Sequence, residues 1–370
     1  MRRRSSRRRN KRSRRVRRRT KRRRSKRTKR TKRLTGGSVG DDLYDKRRSI
    51  LNAHGFDNSN TEISLPEGPL DESLKDAISS MPVLTSLTLI NKEIVDVDFL
   101  KWITKLKKLN LTRNKIENVV PLRTLTNLTD LNLPLNKIVD VSPLETLTNL
   151  TVLELSVNKI EKLDPLETLT NLTVLNLRYN MIVNVSPLQT LTNLTVLNLS
   201  VNKIENVSPL SRLPNLKDLN LAHNEIVELE ALQSHHEVVK FPLSLTNLMV
   251  LNLSYNKIVN VSPLQTLTNL TNLNLRYNMI VNVSPLQTLT SLTKLYLSYN
   301  KIVNVAPLQT LKNLTVLDIS HNQIVNVEPL QTLANLTALD ISHNKVTDIT
   351  PLNFMLAHIF ITDGNPLSMD

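Results

Sequence analysis

Cysteine is absent from the 370 residues, which excludes a disulfide-stapled framework, thiolate metal sites and thiol catalysis. Glycine is scarce, with six in the whole chain, and none lies between 69 and 363, so that span has no glycine-rich loop to cradle a phosphate. Aromatic residues make up only 3%. No run approaches the roughly 18 to 20 apolar residues needed to cross a bilayer, and the amino terminus lacks the apolar core of a secretory signal. These absences predict a soluble intracellular protein in a reducing compartment, nuclear, nucleic-acid-associated or virion-borne, and not a secreted one.

The formal charge of +17 belongs to one end of the chain. Of the 49 Lys and Arg, 23 lie in residues 1–33, where there is no Asp or Glu, leaving 26 basic against 32 acidic residues in the remainder. Met1 and Val16 are the only apolar side chains of that segment, so no core offsets the roughly 1 to 2 kcal/mol of backbone ordering per residue. The segment reads as a disordered tail that binds nucleic acid or another polyanion by releasing condensed counterions, without reading bases. The residues expected to carry this are Arg2, Arg3, Arg4, Arg7, Arg8, Arg9, Arg17, Arg18, Arg19, Arg22, Arg23 and Arg24. It also contains nuclear-localisation signals of the usual five to eight basic residues, and its Ser and Thr are suited to charge-lowering phosphorylation. In composition it resembles protamine-like tails. Gly36, Gly37 and Gly40 then read as a hinge.

Beyond the tail, asparagine recurs at 114, 136, 158, 180, 202 and 224, then at 256, 278, 300, 322 and 344, every step being 22 except one of 32; Lys92 stands at the head of the first series. Around each the spacing is LxxLxLxxNxI, as in Leu172, Leu175, Leu177, Asn180 and Ile182, followed by Val185, Pro187, Leu188 and Leu191. Leu-x-Leu alternation predicts a short strand with one buried face, and the proline a turn. A lone repeat buries too little apolar surface to fold, so neighbours must stack.

This pattern resembles the leucine-rich-repeat family, and its 22-residue class is similar to the internalins and to the leucine-rich regulatory subunit of type-1 protein phosphatase. The resemblance implies an α/β solenoid, a horseshoe of about twelve coils with a parallel concave sheet and short 3-10 or helical convex segments, the asparagines forming a hydrogen-bonded ladder. The expected organisation is a tail and hinge over 1–40, an N-terminal cap over 41–80, repeats over 81–352 with a ten-residue insertion near 234–243, and a C-terminal cap over 353–370. In the first cap Asp41-Asp42 is expected to cap a short helix carrying Leu43, Tyr44, Ile50 and Leu51, before a degenerate strand at Ile63-Ser-Leu65. In the second, Phe354, Leu356, Ile359, Phe360 and Ile361 are expected to close the core ahead of Gly364-Asn365-Pro366.

The concave face is the expected site for a protein partner. Its candidates are Arg113, Arg178, Tyr179, His223, Tyr255, Arg276, Tyr277, Tyr296, Tyr299, His321 and His343, because tyrosine and arginine bury much area while keeping a polar handle. Residues 169–190 and 267–288 differ only at Val174 against Asn272, which also fits duplicated spacer coils of a structural or virion shell component. Two copies of Leu-Asp-Ile-Ser-His-Asn place Asp318, Ser320 and His321 beside Asp340, Ser342 and His343. An open strand supplies neither a buried acid to orient the base nor oxyanion donors, so a solvated polar patch is expected there in place of a hydrolase. His235-His236-Glu237 in the insertion is a weak metal signal and reads as a loop. Repeated Asn-Leu-Thr sequons read as a by-product of the repeat.

The expected function is a non-enzymatic scaffold, with no cofactor, no metal, no small-molecule substrate and no membrane insertion: the solenoid engages a protein and the tail a polyanion. The alternative is an adaptor similar to the phosphatase subunit, with the tail as nuclear address.

Overall fold

The computed structural model describes residues 39–229, 244–357 and 359–367. The tail arginines and the His235-containing insertion lie outside them. The described residues divide into a small helical unit, residues 39–58 and 72–78, and a repeat unit, residues 59–71 and 79 onward.

In the helical unit, α1 (Val39–Ala53) and α2 (Glu72–Ser79) are tied by the Arg47 guanidinium, whose Nε and Nη2 donate to the Asp76 carboxylate at 2.8 and 2.6 Å. That bond, opposed by burial, holds the Asp76 carboxyl below its usual range. Two expectations are corrected here. Gly40 and Asp41-Asp42 lie inside α1, so the glycine is not a hinge and the aspartates do not precede the helix as caps. Leu51 is buried, whereas Leu43 and Tyr44 are exposed.

The repeat unit is a solenoid of parallel coils. Fourteen three-residue strands form one parallel sheet in chain order, from β1 (Glu62–Ser64) and β2 (Ser86–Thr88) to β13 (Ala338–Asp340) and β14 (Ile359–Ile361). Each strand from β2 to β13 buries its central leucine: Leu175 of β6 (Val174–Asn176) pairs in register with Leu197 of β7 (Val196–Asn198), and both are fully buried. The return path is a five-residue 3-10 turn such as Ser186–Thr190, with proline at its start, where the missing N–H is not needed. Asn184 Oδ1 accepts the Ser186 N–H at 2.9 Å and so sets up the turn.

Polar residues of the repeat hold coil to coil. Asn180 Nδ2 donates to the carbonyls of Leu177 (3.0 Å) and of Leu155 in the preceding coil (3.1 Å), and its Oδ1 accepts the Ile160 N–H at 3.0 Å. The same three bonds recur at Asn158, Asn202, Asn300 and Asn344. Thr190 Oγ1 donates to the Glu167 carbonyl at 2.9 Å, Asn193 Nδ2 to Thr170 at 2.9 Å, and Thr195 Oγ1 to Thr173 at 3.0 Å. Both polar positions of the Asn-Leu-Thr sequon are therefore engaged in stacking. Lys92, standing at the first ladder position, is buried; its ammonium donates to the Pro66 carbonyl, and burial lowers its pKa.

The 32-residue step leaves the ladder unbroken. Leu221 N donates to Asn252 O at 2.8 Å, and Asn256 Nδ2 reaches the Leu221 carbonyl at 3.1 Å across the extra residues.

At the carboxyl end the expected aromatic and aliphatic plug is not what closes the core. In β14, Ile359 and Ile361 align with Ala338 and Asp340 on the outer face and are 66% and 40% exposed, while Phe360 aligns with the core Leu339. Phe354 is also exposed, and the Leu356 side chain lies outside the described residues. Asn365 takes up the ladder instead, its Nδ2 donating to Ile341 O at 2.9 Å and its Oδ1 accepting from Val346 N at 3.1 Å. Gly364 completes this last turn at φ +71°, where an added Cβ would meet His343 Nδ1 at 2.5 Å. Gly364→Ala is expected to cost about 1 to 3 kcal/mol through strain and clash, measured as a lower urea midpoint than the parent.

Candidate functional site

Each coil leaves its strand through one residue in the left-handed region, immediately before the ladder asparagine. From Arg113 through Leu135, Val157, Tyr179, Val201, His223, Tyr255, Tyr277, Tyr299 and His321 to His343, φ lies between +51 and +58°. None of these is glycine, and β-branched Val157 and Val201 are especially ill suited to it. The ladder bonds on either side hold the bend, so the side chain at this position is fixed by the backbone and free to vary.

In the carboxyl-terminal half that freedom is used for rings. His223, Tyr255, Tyr277, Tyr299, His321 and His343 stack face to face, one per coil, with centroids 3.9 to 4.1 Å apart and planes within 16°. The spacing is that of adjacent strands, drawn in slightly by the rings. Ring faces are covered by one another and the edges face solvent. The Tyr277 phenol is pushed above its ordinary range, first by a hydrogen bond with the Tyr299 hydroxyl, then by burial and by Tyr255.

Beside the rings runs a charged pair. Arg276 Nε and Nη2 donate to Asp318 Oδ2 at 2.9 and 2.5 Å, across the intervening coil, and the guanidinium lies 4.5 Å from the centre of the Tyr296 ring. Asp318 Oδ1 accepts from Ser320 N and Oγ at 3.1 and 2.7 Å. Burial alone raises the Asp318 pKa, but the bonds from Ser320, Arg276 and Ser298 outweigh it and hold the carboxyl below its usual range. Rings and pair line an open depression of about 480 Å³.

The expected residues are partly brought together. His223, Tyr255, Tyr277, Tyr299, His321 and His343 join one stack, with Arg276 and Tyr296 beside it. Tyr179 is 56% exposed and stands apart, because Val201 occupies the bend of the next coil; Arg113 and Arg178 are exposed nearer the amino end. Asp318 was outside the expected binding set. Its signal lay in the sequence as the one column position where aspartate follows tyrosine, two coils on from an arginine.

The two Asp-Ser-His trios do not assemble a nucleophile with its base. Ser320 and Ser342 give their hydroxyl protons to Asp318 and Asp340 at 2.7 and 2.6 Å, and the His321 and His343 rings lie flat against each other. Among the described residues, no group of three His, Cys, Asp or Glu is placed to hold a metal ion, and no helix is long and apolar enough to cross a membrane. Two acids on the outer face, Glu154 and Asp218, have pKa values raised by burial.

Comparison with known proteins agrees with this architecture. A profile of paired leucine-rich repeats matches residues 148–190, 192–234, 268–310, 290–332 and 312–354, and a single leucine-rich-repeat profile matches 103–119. The structure is similar to an internalin from Listeria monocytogenes, internalin F, at 29% identity and a TM-score of 0.77, covering 89% of this chain and 95% of that one. It is similar also to a leucine-rich-repeat protein of Leptospira interrogans, at 25% identity and a TM-score of 0.68, covering 84% and 86%. A plant peptide hormone receptor shares the fold at 24% identity and a TM-score of 0.65, over 86% of this chain and 57% of its own. No curated protein sequence matches significantly. With its asparagine ladder, its single parallel sheet and these matches, the chain belongs to the leucine-rich repeat proteins.

Proposed function

We propose that this protein is a scaffold that binds a protein partner on the solvent-facing side of its sheet, over the coils from His223 to His343. The observation that carries the reading is the six-ring stack with the Arg276–Asp318 pair at its side. Coil stacking does not require it, since the amino-terminal coils manage the same bend with Leu135, Val157 and Val201. Rings held by their neighbours lose little freedom on binding, and tyrosine edges offer both apolar contact and hydroxyl donors.

The test is affinity capture with the full chain, identification of the captured protein, and titration of that protein against variants. Tyr277→Ala with Tyr299→Ala is expected to weaken binding at least 30-fold, on the order of 2 kcal/mol or more. Val139→Ala with Val183→Ala, on exposed positions outside the stack, should leave it unchanged. Equal affinity of the tyrosine variant overturns the assignment.

The tail over residues 1–33 is proposed to bind polyanions independently of the sheet, on the ground of its 23 basic residues and no acidic ones. Full-length and Δ1–33 protein titrated with duplex DNA, RNA and heparin across a salt series test this. The deletion should lose most of the affinity and of the salt slope; undiminished binding to duplex DNA and heparin refutes it.

A further inference from the structure

The second coil departs from the repeat at several surface positions at once. Where later coils carry Thr124, Thr146, Thr168 and Thr190, each with a hydroxyl bonded to the preceding coil, this coil has Trp102. Where they carry Asn127, Asn149 and Asn171, each with an amide bonded backward, it has Lys105. Lys107 stands at the position of Thr129, Thr151 and Thr173, and Lys108 begins β3 (Lys108–Asn110). Among the described residues these side chains make no such backward bond and are released from stacking, although the backbone still joins the preceding coil, the Lys107 and Lys108 amides donating to the Thr85 carbonyl at 2.8 and 3.0 Å. Release alone does not call for an indole.

Trp102 is the only tryptophan in the chain, and it is 71% exposed. Its loop is pinned from the next coil, by Thr124 Oγ1 on the Lys101 carbonyl and Asn127 Nδ2 on the Thr104 carbonyl, both at 2.8 Å. The indole therefore projects from a fixed backbone. The Lys101 ammonium lies 5.5 Å from its ring centre and 3.2 Å from Asp98. Among the described residues no carboxylate forms a salt bridge with Lys105, Lys107 or Lys108, although Asp130 is the cross-strand neighbour of Lys108. From 98 to 108 every other exposed side chain is polar: Asp98, Thr104, Lys105, Lys107 and Lys108. The indole has the Lys101 ammonium beside it, and exposed Lys105, Lys107 and Lys108 follow within six residues of the same backbone. It has what an unpaired base needs, a flat apolar face to stack on and cations for the flanking phosphates.

We propose that Trp102, with Lys101, Lys105, Lys107 and Lys108, forms a binding site for single-stranded nucleic acid on the second coil, separate from the tail and from the ring stack. The tail has no aromatic residue before Tyr44 and so grips phosphates alone. The second coil adds a stacking contact that prefers unpaired bases to duplex.

Because Trp102 is the sole tryptophan, its fluorescence reports this site and nothing else. The full chain is titrated with a dye-labelled oligothymidylate, following dye anisotropy and tryptophan emission together, and separately with heparin and with phosphatidylserine vesicles. Saturation by the oligonucleotide should quench the emission, and heparin, which has charge but no bases, should not. Trp102→Ala should weaken oligonucleotide binding about tenfold and Trp102→Phe should recover most of it. Lys105→Ala, Lys107→Ala and Lys108→Ala together should reduce the salt slope by about 2. These positions are exposed, and unchanged circular dichroism verifies folding. Oligonucleotide saturation without quenching overturns the site while leaving the tail proposal intact. Equal quenching by heparin, or a blue shift on vesicles in place of quenching by the oligonucleotide, overturns it too.

Discussion

Asn180→Ala is expected to destabilise the repeat unit by about 2 to 4 kcal/mol, because the deletion leaves the buried Ile160 N–H without its acceptor and takes one of two amide donors from each of the Leu155 and Leu177 carbonyls, which keep Asn158 and Asn202. The alanine side chain is too short to let its own backbone substitute, and the leucines around it keep water out. Asn193→Ala provides the contrast. That residue also bonds to the preceding coil, at 2.9 Å, but it is exposed, so water replaces the lost amide and the cost should stay below about 1 kcal/mol. Urea unfolding followed by circular dichroism measures both. Since the coils around Asn180 pack on their immediate neighbours, Asn180→Ala should also split the transition in two, the halves melting on either side of the weakened joint. A single transition shifted by less than about 1 kcal/mol contradicts the ladder account.

The second large effect is expected at Asp318, which is 7% exposed and takes up Ser320 and Arg276 at once. Its pKa is lowered in the folded protein. A lowered carboxyl pKa means that the unfolded chain binds the proton more readily, so this group stabilises the fold above the unfolded value of about 3.9 and ceases to do so as pH falls through the folded value. Asp318→Asn keeps the shape but removes the charge, and at pH 7 it should cost about 1 to 3 kcal/mol. The deficit should shrink toward zero as the parent is titrated below pH 4 to its own folded pKa. Arg276→Ala should cost less, about 1 kcal/mol, because the guanidinium is over a third exposed and solvent screens it. Urea midpoints of the three proteins at pH 7, 5 and 3 test the order, and a deficit in Asp318→Asn that persists unchanged to pH 3 overturns the linkage.

The coil period, the parallel sheet and the ladder role of asparagine were all legible in LxxLxLxxNxI, because one residue type recurring at one spacing can only be a stacking contact. The left-handed bend was not. Such a position usually announces itself with glycine or asparagine, and here it holds leucine, valine, tyrosine and histidine, the ladder bonds supplying what residue preference does not. The ring stack was visible as a column, but its closeness was not, since a polar strand face carries tyrosine for many reasons. The final ladder asparagine escaped notice because Asn365 follows Asn344 by 21 residues, not 22, and without the preceding leucine pattern. Ile359 and Ile361 read as core from composition alone, whereas alternation about Phe360 sends them outward.

Because the coils between Trp102 and the rings repeat the same ladder bonds, duplicating one, as residues 169–190 and 267–288 look duplicated already, would preserve both candidate surfaces while moving them apart by one strand spacing, about 4.8 Å. The protein is in that respect a ruler with a fixed graduation. Evolution can set the interval between Trp102 and the tyrosines in whole steps, by copying or deleting 66 nucleotides in frame, without redesigning either end.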